Sequence, residues 1–475
     1  MEALQTRLER SLWRDSDNAS GLAVDSLPVY NTLDASLSHR NGNYRRLQEG
    51  RSETALNVGT EGSLVTGKTF LWGDFSYTNA TVRKARYNTV LFDPFDERFL
   101  FGVADPVESD WKRQTYDMAF KAARALREDL FAGIGVRYTD RIGAKQNDPR
   151  SETFKYSVEV CPGLSYKFGS HTFGISGYYS NVFERSVPTL SNSSEPQDVF
   201  ILKGLGYYTE DIVGSNGLST LYYRSNGYGA GAQYFSGRTF AELAMRHFSS
   251  SATESATQPF KLGSTGRTEI RVSLARLTAK GKIYLDYSIS NTSATEYSSI
   301  FNKTNNLWEV RSSFKGSSYT SQAAGAGYVA AVSRGGRPVW KYGLSALWDF
   351  ENDHRTSLPE ATLDYSAVTA SAFAIKSLYK GRGVFDLRAD IQGRLHLGGE
   401  FTYSGHHSAD LPASEWYPFD AAILSSDHLQ GGLSAVWTLP VGKGMSLGLR
   451  LGGLYTAASS SMGMARFLAG ASLLF

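Results

Sequence analysis

The sequence has a single cysteine, Cys161, among its 475 residues. One thiol excludes an intramolecular disulfide framework and a cysteine-based zinc cluster. Proline and methionine are scarce, at 13 and 6 residues, and no apolar run approaches the roughly 18 residues that a membrane-spanning helix requires. The formal net charge is only +3, without a basic cluster suited to phosphate backbones. We therefore expect no nucleic-acid partner, no cofactor and no metal.

The start of the chain lacks a secretory signal. Met1 and Glu2 are not followed by a basic region and an apolar core. Two interpretations remain, a cytosolic protein or the mature form of an exported one. The strand pattern of the remaining chain favours the mature exported form.

Strict alternation of apolar and polar side chains dominates the sequence. Between Phe154 and Phe168 every even position is apolar, whereas the odd positions are mainly polar. Only a period of two separates these sets, which predicts a strand of about 15 residues, against about 5–6 in ordinary proteins. Cys161 is predicted to face inward, beside an outward Pro162 whose missing N–H predicts a β-bulge.

The same pattern recurs later in the chain, near Trp340, Ile283 and Met445. Its clearest example is the apolar row that runs from Phe385 to Leu397. The residues of the opposite row are all polar: Asp386, Arg388, Asp390, Gln392, Arg394 and His396. A helix would mix the two sets, so this segment is also predicted to be a two-faced strand.

Turn signals interrupt the alternation at regular intervals. Tight turns are predicted at 66–68, 127–129, 169–171, 236–238, 280–282, 315–318 and 441–444. Longer polar connections are predicted at 82–110, 187–218, 251–264 and 404–426. Short turns at one end and long loops at the other are typical of bacterial outer-membrane barrels, whose strand number is even.

Two architectures fit a two-faced sheet. A soluble β-sandwich requires short strands and turns at both ends, which the long strands and the charged inner row disfavour. We predict an all-β fold: a transmembrane antiparallel β-barrel of about 16 strands, within a range of 14–18, with a short N-terminal periplasmic segment. The chain ends on the outward aromatic Phe475, which resembles the C-terminal signal strand read by the barrel-assembly machinery.

The first residues do not share the strand pattern. Leu4, Leu8 and Leu12 have helical spacing, and the turn-rich stretch RDSDNASGLAVDSLP follows them. We predict that residues 1–27 form a periplasmic cap or a small plug and that residues 28–475 form the barrel. A loose N-terminus is the alternative.

Three segments carry a resemblance to known families: Leu8 to Ala23 (LERSLW…DNASGLA), Leu71 to Tyr77 (LWGDFSY) and Asn147 to Arg150 (NDPR). Through them most of the chain resembles an uncharacterised family of Bacteroidota outer-membrane barrels. More remotely, SDNASGLA is similar to an element in the N-terminal hatch of long-chain fatty-acid transporter barrels. The resemblance implies a fold and an outer-membrane location, but no substrate.

Charged side chains on the inward row are the candidate site residues. The predicted lumen-lining residues are Lys155, Glu159, Lys167, Glu242, Arg246, Glu269, Arg271, Glu309, Arg311, Asp386, Arg388, Asp390, Arg394, His396, Arg450 and Arg466, with Lys315 beside them. Their signs alternate closely. They either pair across strands to hold the interior together, or line a water-filled path whose charges select solutes. Both interpretations stay open.

Two loops suggest alternative chemistry. The aromatic stretch from Val90 to Pro106 either folds over the barrel and packs against its rim, or supplies an apolar ligand pocket or partner site. The stretch GHHSADLPASEW offers His406, His407, Ser408, Asp410 and Glu415, which are residue types found in hydrolases and metal sites. Their spacing matches no known motif, so we predict no catalytic residue and treat a solvated loop as the expected structure.

These features predict an integral protein of the bacterial outer membrane in its mature form. The expected function is passive transport of a small solute or membership of an uptake complex. The alternatives are a non-conducting scaffold subunit of an assembly or export complex and an outer-membrane hydrolase. The expected partners are outer-membrane lipid and lipopolysaccharide, the barrel-assembly machinery, and other outer-membrane proteins or surface lipoproteins.

Overall fold

The structure, a computed structural model, describes residues 2–25, 27–192, 194–214, 217–255, 258–405, 411–442, 444–459 and 461–475. Within these residues, eighteen antiparallel strands close into a barrel. The predicted class, an all-β antiparallel barrel, is confirmed. The strand number is at the upper end of the predicted range of 14–18, two above the expected value of 16.

The strands alternate in direction along the chain. Their bounds are β1 (Tyr30–Gly42), β2 (Ser52–Thr66), β3 (Thr69–Ala85), β4 (Val103–Ala104), β5 (Ser109–Ala125), β6 (Leu130–Lys145), β7 (Arg150–Phe168), β8 (His171–Thr189), β9 (Gln197–Leu202), β10 (Tyr208–Val213), β11 (Leu221–Phe235), β12 (Thr239–Glu254), β13 (Phe260–Leu277), β14 (Gly281–Asn302), β15 (Leu307–Arg334), β16 (Arg337–Arg355), β17 (Ala361–Lys380), β18 (Gly383–Gly398), β19 (Phe401–Tyr403), β20 (His428–Gly442), β21 (Met445–Ala458) and β22 (Gly463–Leu474). In the described chain β4, β9, β10 and β19 belong to loops, and the other strands form the wall.

Helical structure is sparse in the described residues. It comprises the α-helices α1 (Glu2–Leu8) and α2 (Tyr417–Leu424), the 3₁₀-helices Ala19–Ala23 and Leu47–Glu49, and the π-helix Pro412–Trp416. None of the described helices has the length and the apolar character needed to cross a membrane.

The barrel closes through pairing of the first and last strands. β1 and β22 pair from Thr32 opposite Leu474 to Gly42 opposite Met464. Beyond this seam, the backbone N–H of Phe475 donates to the carbonyl of Asn31 over 2.9 Å. Closure matters because an unpaired strand edge leaves a row of backbone groups without hydrogen bonds, which hydrocarbon cannot satisfy.

The outward row of the wall is apolar. Large side chains on this row stay exposed, among them Leu433 at 72%, Leu451 at 67% and Ile175 at 64%. In a soluble protein such surfaces would drive association, whereas hydrocarbon accepts them. The alternation predicted for 154–168 and 385–397 is present in β7 and β18.

The two ends of the barrel differ in their connections. Short turns join β2 to β3, β5 to β6, β7 to β8 and the corresponding later pairs, and both termini of the wall lie at this end, the turn end. The other end, the loop end, carries the longer connections, including 86–108, 190–220 and 399–427. This asymmetry matches the layout expected from the sequence.

The predicted turn at 315–318 is wrong. Lys315 and Ser317 lie within β15, and Gly316 sits where the pairing with β14 shifts by one residue. Glycine and serine mark β-bulges as well as turns, so the local sequence does not distinguish them. The turn that follows β15 lies instead between Arg334 and Arg337.

The predicted bulge at Pro162 is also wrong. The register between β7 and β8 is the same before and after it, with Val160 opposite Tyr179 and Gly163 opposite Ser176. The missing N–H of Pro162 leaves a gap in the ladder on one side only, because Pro162 still pairs with Ile134 of β6 on the other.

The long loops fold into the barrel mouth and pack there. β4, β9 and β10 form a small three-stranded sheet across the loop end. Beneath it, the buried loop residues Phe99, Phe101 and Ile201 belong to the same core cluster as the wall residue Tyr223. We call the loops 43–51, 86–108, 190–220 and 399–427 together the loop cap.

Candidate functional site

The N-terminal segment, residues 8–25, lies inside the barrel at the turn end. Asn18 is its main attachment: its Nδ2 donates to the carbonyls of Leu164 at 3.2 Å and Ile175 at 3.1 Å, and to Gln233 Oε1 at 2.8 Å. Its Oδ1 accepts from the backbone N–H of Ser20 at 3.1 Å and from the Ser20 hydroxyl at 2.6 Å. These bonds fix the segment against three wall strands.

The wall is shaped to receive this segment. A Cβ atom at Gly163 would overlap Asn18 Oδ1, and one at Gly133 would overlap the backbone of Ser20. Glycine is required at both positions because the segment approaches the wall backbone closely. The division of the chain into a plug, residues 1–27, and a barrel, residues 28–475, stays a proposal.

Aromatic packing supports the segment from the side. Trp13 is buried, its Nε1 donates to the Asn18 carbonyl over 3.0 Å, and its ring lies 5.7 Å from Phe235 and 5.4 Å from Phe240. Leu8 and Leu12 are buried as well, as their helical spacing suggested, although helix α1 ends at Leu8.

Charged wall residues reach the same segment. Glu242 accepts a hydrogen bond from Ser16 over 2.8 Å, and Arg246 forms an ion pair with Asp17. Lys121 donates to the carbonyls of Arg14 and Ser16, at 2.7 and 2.8 Å. Lys121 and Arg246 thus hold the N-terminal segment in the lumen, so these inward charges have a structural role.

Most predicted lumen residues lie on the inward row. This row includes Lys155, Glu159, Lys167, Glu242, Arg246, Glu269, Arg271, Asp386, Arg388, Asp390, Arg394, His396, Arg450 and Arg466. Lys167 is exposed at the rim of the turn end. Whether these side chains line a conducting path stays a prediction.

Several of these residues pair with one another or with loops. Arg388 bonds Asp390 at 2.6 Å, Arg394 lies 3.6 Å from Asp349, and Glu269 pairs with Arg267 and Arg271. Lys155 reaches Asp96 of the loop cap at 3.2 Å. Pairing within a strand, between strands and with a loop therefore accounts for a good part of the inward charge.

Glu309 and Arg311 require a correction, together with Lys315. β13 pairs with β14 only as far as Glu296, and β16 pairs with β15 only from Ser317. Residues 297–302 and 307–316 consequently pair with each other alone and form a hairpin that projects beyond the wall. Glu309 is fully exposed there, bonded to Asn302 and Asn305, because a strand that outruns its neighbours has no lumen to face.

A cavity of about 250 Å³ lies under the loop cap, and we call it the loop-end chamber. The inner wall of β15, β16 and β17 contributes Tyr319, Glu351, Asp353 and Tyr365. The cap contributes mainly aromatic, acidic and apolar side chains: Arg46, Tyr87, Phe95, Asp96, Glu97, Phe99, Leu205, Trp416, Tyr417 and Asp420. The chamber is slightly smaller than the ~300–1,000 Å³ usual for ligand pockets.

Ion pairs and stacked rings hold the cap over the chamber. Arg86 pairs with Glu415 over 2.6 Å, and Tyr87 stacks on Trp416 with 4.9 Å between ring centroids. Asp420 is buried and accepts from Arg46 over 2.9 Å. Burial raises the pKa of Asp420, and the Arg46 guanidinium partly offsets that rise.

The acids of the chamber differ in their partners. Asp96 contacts Arg98 and Lys155, and although burial opposes ionisation, these cations hold the pKa of Asp96 well below its usual range. Glu97 pairs with Arg267 over 3.1 Å. Glu351 and Asp353, by contrast, form no ion pair within the described part of the chain.

The two remaining carboxylates belong to one strand face. Glu351 lines the chamber together with Tyr319 and Tyr365, and both tyrosines lie close enough to interact with its carboxylate. Asp353 Oδ1 is buried and has no hydrogen-bond partner in the described residues. Sequence analysis missed both acids. The alternation around Asp349 contained the signal, because continuing it by two and four residues places 351 and 353 on the inward row.

The aromatic loop from Val90 to Pro106 packs mainly inward. Phe92, Phe99 and Phe101 are buried, at 6%, 3% and 2% exposure. Phe95 instead lines the chamber, where the Arg46 guanidinium lies 4.1 Å from its ring centroid. The loop therefore folds over the barrel and also supplies one wall of a pocket.

The hydrolase alternative rests on the loop after β19. His406, His407, Ser408 and Asp410 lie outside the described residues. Glu415 is described, and its two carboxylate oxygens accept from Arg86 and Tyr87. Those bonds hold the Glu415 carboxylate within the loop cap. Among the described residues there is also no group of three or more His, Cys, Asp or Glu side chains arranged for a metal.

Sequence comparison decides the family. The family described as "Family of unknown function (DUF6850)" matches residues 19–475. The chain belongs to this family. The match covers the last part of the N-terminal segment, from Ala19, and the whole wall. No curated protein matches the chain in sequence.

The chain also has some similarity to solved structures. The ferric preacinetobactin receptor BauA from Acinetobacter baumannii has a TM-score of 0.44 and 9% identity, covering 94% of this chain and 80% of that one. The siderophore receptor PiuA from the same organism has a TM-score of 0.45 and 10% identity, with 94% and 82% covered. OccK9 (OpdG) from Pseudomonas aeruginosa has a TM-score of 0.36 and 10% identity, with 94% and 98% covered.

Proposed function

We propose that this protein is an integral barrel of the bacterial outer membrane that admits a small solute through the loop-end chamber. The observation that carries the proposal is the chamber itself, a cavity in the barrel mouth with two carboxylates that form no ion pair within the described residues. The apolar outward wall supports the membrane location, and by the usual layout the loop end faces the exterior. A solute released from the chamber enters the charged lumen.

The resemblances found in the sequence lead to narrower proposals. We propose a Bacteroidota source from the three matching segments. The long-chain fatty-acid transporter resemblance agrees with a short N-terminal segment inside the barrel, but acidic residues line the chamber. A fatty acid would place its own carboxylate beside Glu351 and Asp353, which like-charge repulsion disfavours. We therefore favour a solute other than a fatty acid.

The partners proposed from the sequence follow from the surface. Lipid and lipopolysaccharide are expected around the apolar outward row. Phe475 is half exposed at the end of the last strand, where we propose that the barrel-assembly machinery reads it. Other outer-membrane proteins or surface lipoproteins stay candidates for the projecting hairpin, which exposes Trp308 and Phe314. A hydrolase function stays an alternative without a described catalytic group.

Planar bilayers test the proposed passage. The full chain should give small conductance steps, and a variant lacking residues 2–25 should give steps at least about twofold larger, because that segment occupies the lumen. Heat-modifiable mobility on gels confirms that each protein is folded before measurement. Silence from both folded proteins would contradict solute passage.

A non-conducting scaffold is the second candidate. It is favoured by the filling of the lumen from both ends, by the loop cap and by the segment held at Asn18. For a scaffold, both chains stay silent in the bilayer and the native protein purifies with a partner in a fixed ratio.

A further inference from the structure

A positively charged side chain of the protein itself already lies in the loop-end chamber. Arg46 donates from Nε to Asp420 over 2.9 Å while its guanidinium lies 4.1 Å from the Phe95 ring centroid. A carboxylate on one side and a ring face on the other is a favourable arrangement for a cation shielded from water. Arg46 thus shows how this chamber holds positive charge.

A second arrangement of the same kind lies on the β16 wall. Glu351 and Asp353 face the chamber two residues apart, and the rings of Tyr319 and Tyr365 line it close to Glu351. Tyr417 of helix α2 also lines the chamber, near enough to Asp353 that this carboxylate adds to the effect of burial in raising the pKa of Tyr417. Here the carboxylates and rings are present without an ion pair to a basic side chain within the described chain.

The charge balance of the chamber is negative. The lining has five acids, Asp96, Glu97, Glu351, Asp353 and Asp420, against the single base Arg46. Arg46, Arg98, Lys155 and Arg267 are paired with three of the acids, Asp420, Asp96 and Glu97. Two carboxylates in a space partly removed from water are unfavourable without compensation, and a bound cation would compensate them.

We propose that the loop-end chamber binds a small organic cation, a protonated or quaternary amine, whose charge contacts Glu351 and Asp353 and whose carbon atoms pack against Tyr319, Tyr365 and Tyr417. This proposal rests on the proposed function, since it names the class of solute that the chamber admits. The cavity of about 250 Å³ restricts the ligand to a small molecule. The aromatic lining favours an amine with alkyl substituents over a hydrated metal ion, which requires oxygen ligands on several sides.

Calorimetry on the detergent-solubilised full chain tests the ligand class. The probes are choline and its uncharged isostere 3,3-dimethylbutan-1-ol, which share size and hydroxyl but differ in charge. Choline should bind at least about tenfold more tightly than the isostere, equivalent to about 1.4 kcal/mol. Equal affinity for the two probes, or no binding of choline, would overturn the proposed ligand class.

Two conservative variants locate the site. Glu351→Gln and Asp353→Asn should each weaken choline binding at least about tenfold, which a charge removed from a shielded site can account for. The matched control is Asp286→Asn, which removes an exposed inward carboxylate of β14 outside the chamber. Loss of binding in the control alone would overturn the location. The comparison of the two probes uses the unaltered chain and stands even where a variant fails to fold.

A flux assay separates this proposal from the proposed function. In proteoliposomes, uptake of uncharged glycerol reports passage, whereas the ratio of choline to glycerol uptake reports the chamber. The Glu351→Gln variant should lower that ratio, whereas the control Asp286→Asn should leave both the ratio and glycerol uptake unchanged. Glycerol uptake with no preference for choline overturns the ligand class alone, and absence of all uptake overturns the proposed function.

Discussion

At the scale of single residues, Asn18 contributes most to the position of the N-terminal segment. One side chain bonds two wall carbonyls, Gln233 and Ser20; the bonds to Gln233 and Ser20 are buried, and those to the carbonyls are partly buried. Leaving a buried polar group without its partner costs about 1–3 kcal/mol. Losing these contacts therefore destabilises the segment more than losing hydrogen bonds at the protein surface would. Glycine at 133 and 163 makes room for them.

We expect Asn18→Ala to loosen this segment without unfolding the barrel. The substitution leaves the carbonyls of Leu164 and Ile175 without their donor, at about 1–3 kcal/mol each. Cys161 is the sequence's single cysteine, buried under the segment beside Asp17, and serves as the probe. A maleimide reagent should label it several times faster in the variant than in the unaltered chain, since opening of the segment exposes it.

Asn57→Ala is the matched control for this substitution. Asn57 bonds Thr78 across two wall strands over 2.9 Å, so its removal also deletes an asparagine from the interior. Labelling of Cys161 should not change in this control. Equal labelling rates in all three proteins would show that Asn18 does not hold the segment.

At the scale of elements, each wall strand has an apolar outward face and a polar inward face, and β18 shows the difference between these two faces clearly. Ile391 is 55% exposed on the outward row, whereas its neighbour Gln392 lies within 3.3 Å of His428 on the inward row. Replacing Ile391 by Asp should block membrane insertion, because a charged side chain facing hydrocarbon near the midplane costs about 2–4 kcal/mol for Arg or Lys and less for Asp. Heat-modifiable mobility after expression measures insertion.

The companion variant Gln392→Asp should fold and insert normally. It places the same carboxylate one residue along the strand, where water and other polar side chains meet it. Similar insertion of the Ile391→Asp and Gln392→Asp variants would contradict the assignment of Ile391 to the outward face of β18 and of Gln392 to its inward face.

The loop 86–108 is a second element whose stability depends on charge. Asp96 has a lower pKa in the folded protein than the value of about 3.9 in an unfolded chain. Its stabilising effect is therefore complete above about pH 4 and is lost as the pH falls toward the folded pKa. The protection of the loop amides from hydrogen exchange, measured relative to the intrinsic exchange rate at each pH, should be equal at pH 7 and pH 5 and should fall below about pH 4.

The Asp96→Asn variant provides the comparison for acid sensitivity. It should exchange faster at every pH and lose the step at low pH, since no carboxylate is left to protonate. A loss of amide protection between pH 7 and pH 5 in the unaltered chain would mean that the ionisation of another group controls the stability of the loop.

These elements differ in how well the sequence predicted them. The rows of β7 and β18 were read correctly because a period of two persists over many residues. The 315–318 turn was misplaced because Gly316 in a bulge has the same local sequence as glycine in a turn. Glu309 and Arg311 have the inward pattern, yet their neighbouring strands end before reaching them. Strand-end positions depend on the neighbours and not on the strand alone.

At the scale of the whole molecule, the barrel is closed by one seam and filled from both ends. Pairing of β1 with β22 removes the sheet edges, and the segment at Asn18 and the loop cap occupy the two mouths. The remaining spaces include the loop-end chamber of about 250 Å³ and a polar cavity of about 640 Å³ near Asp17 and Arg246. Under the proposed function, solute movement between them requires displacement of the cap or of the segment, which are held by separate contacts.

The sequence by itself determined the class of fold and the alternation of outward and inward side chains along the wall strands. Side-chain alternation is a local property of an extended chain, and it persists wherever the neighbours lie. Only the tertiary structure decided which carboxylates form an ion pair with a basic side chain. Glu351 and Asp353 look like the other inward acids, but only the packing of four distant loops removes them from water and leaves them without a basic partner in the described chain.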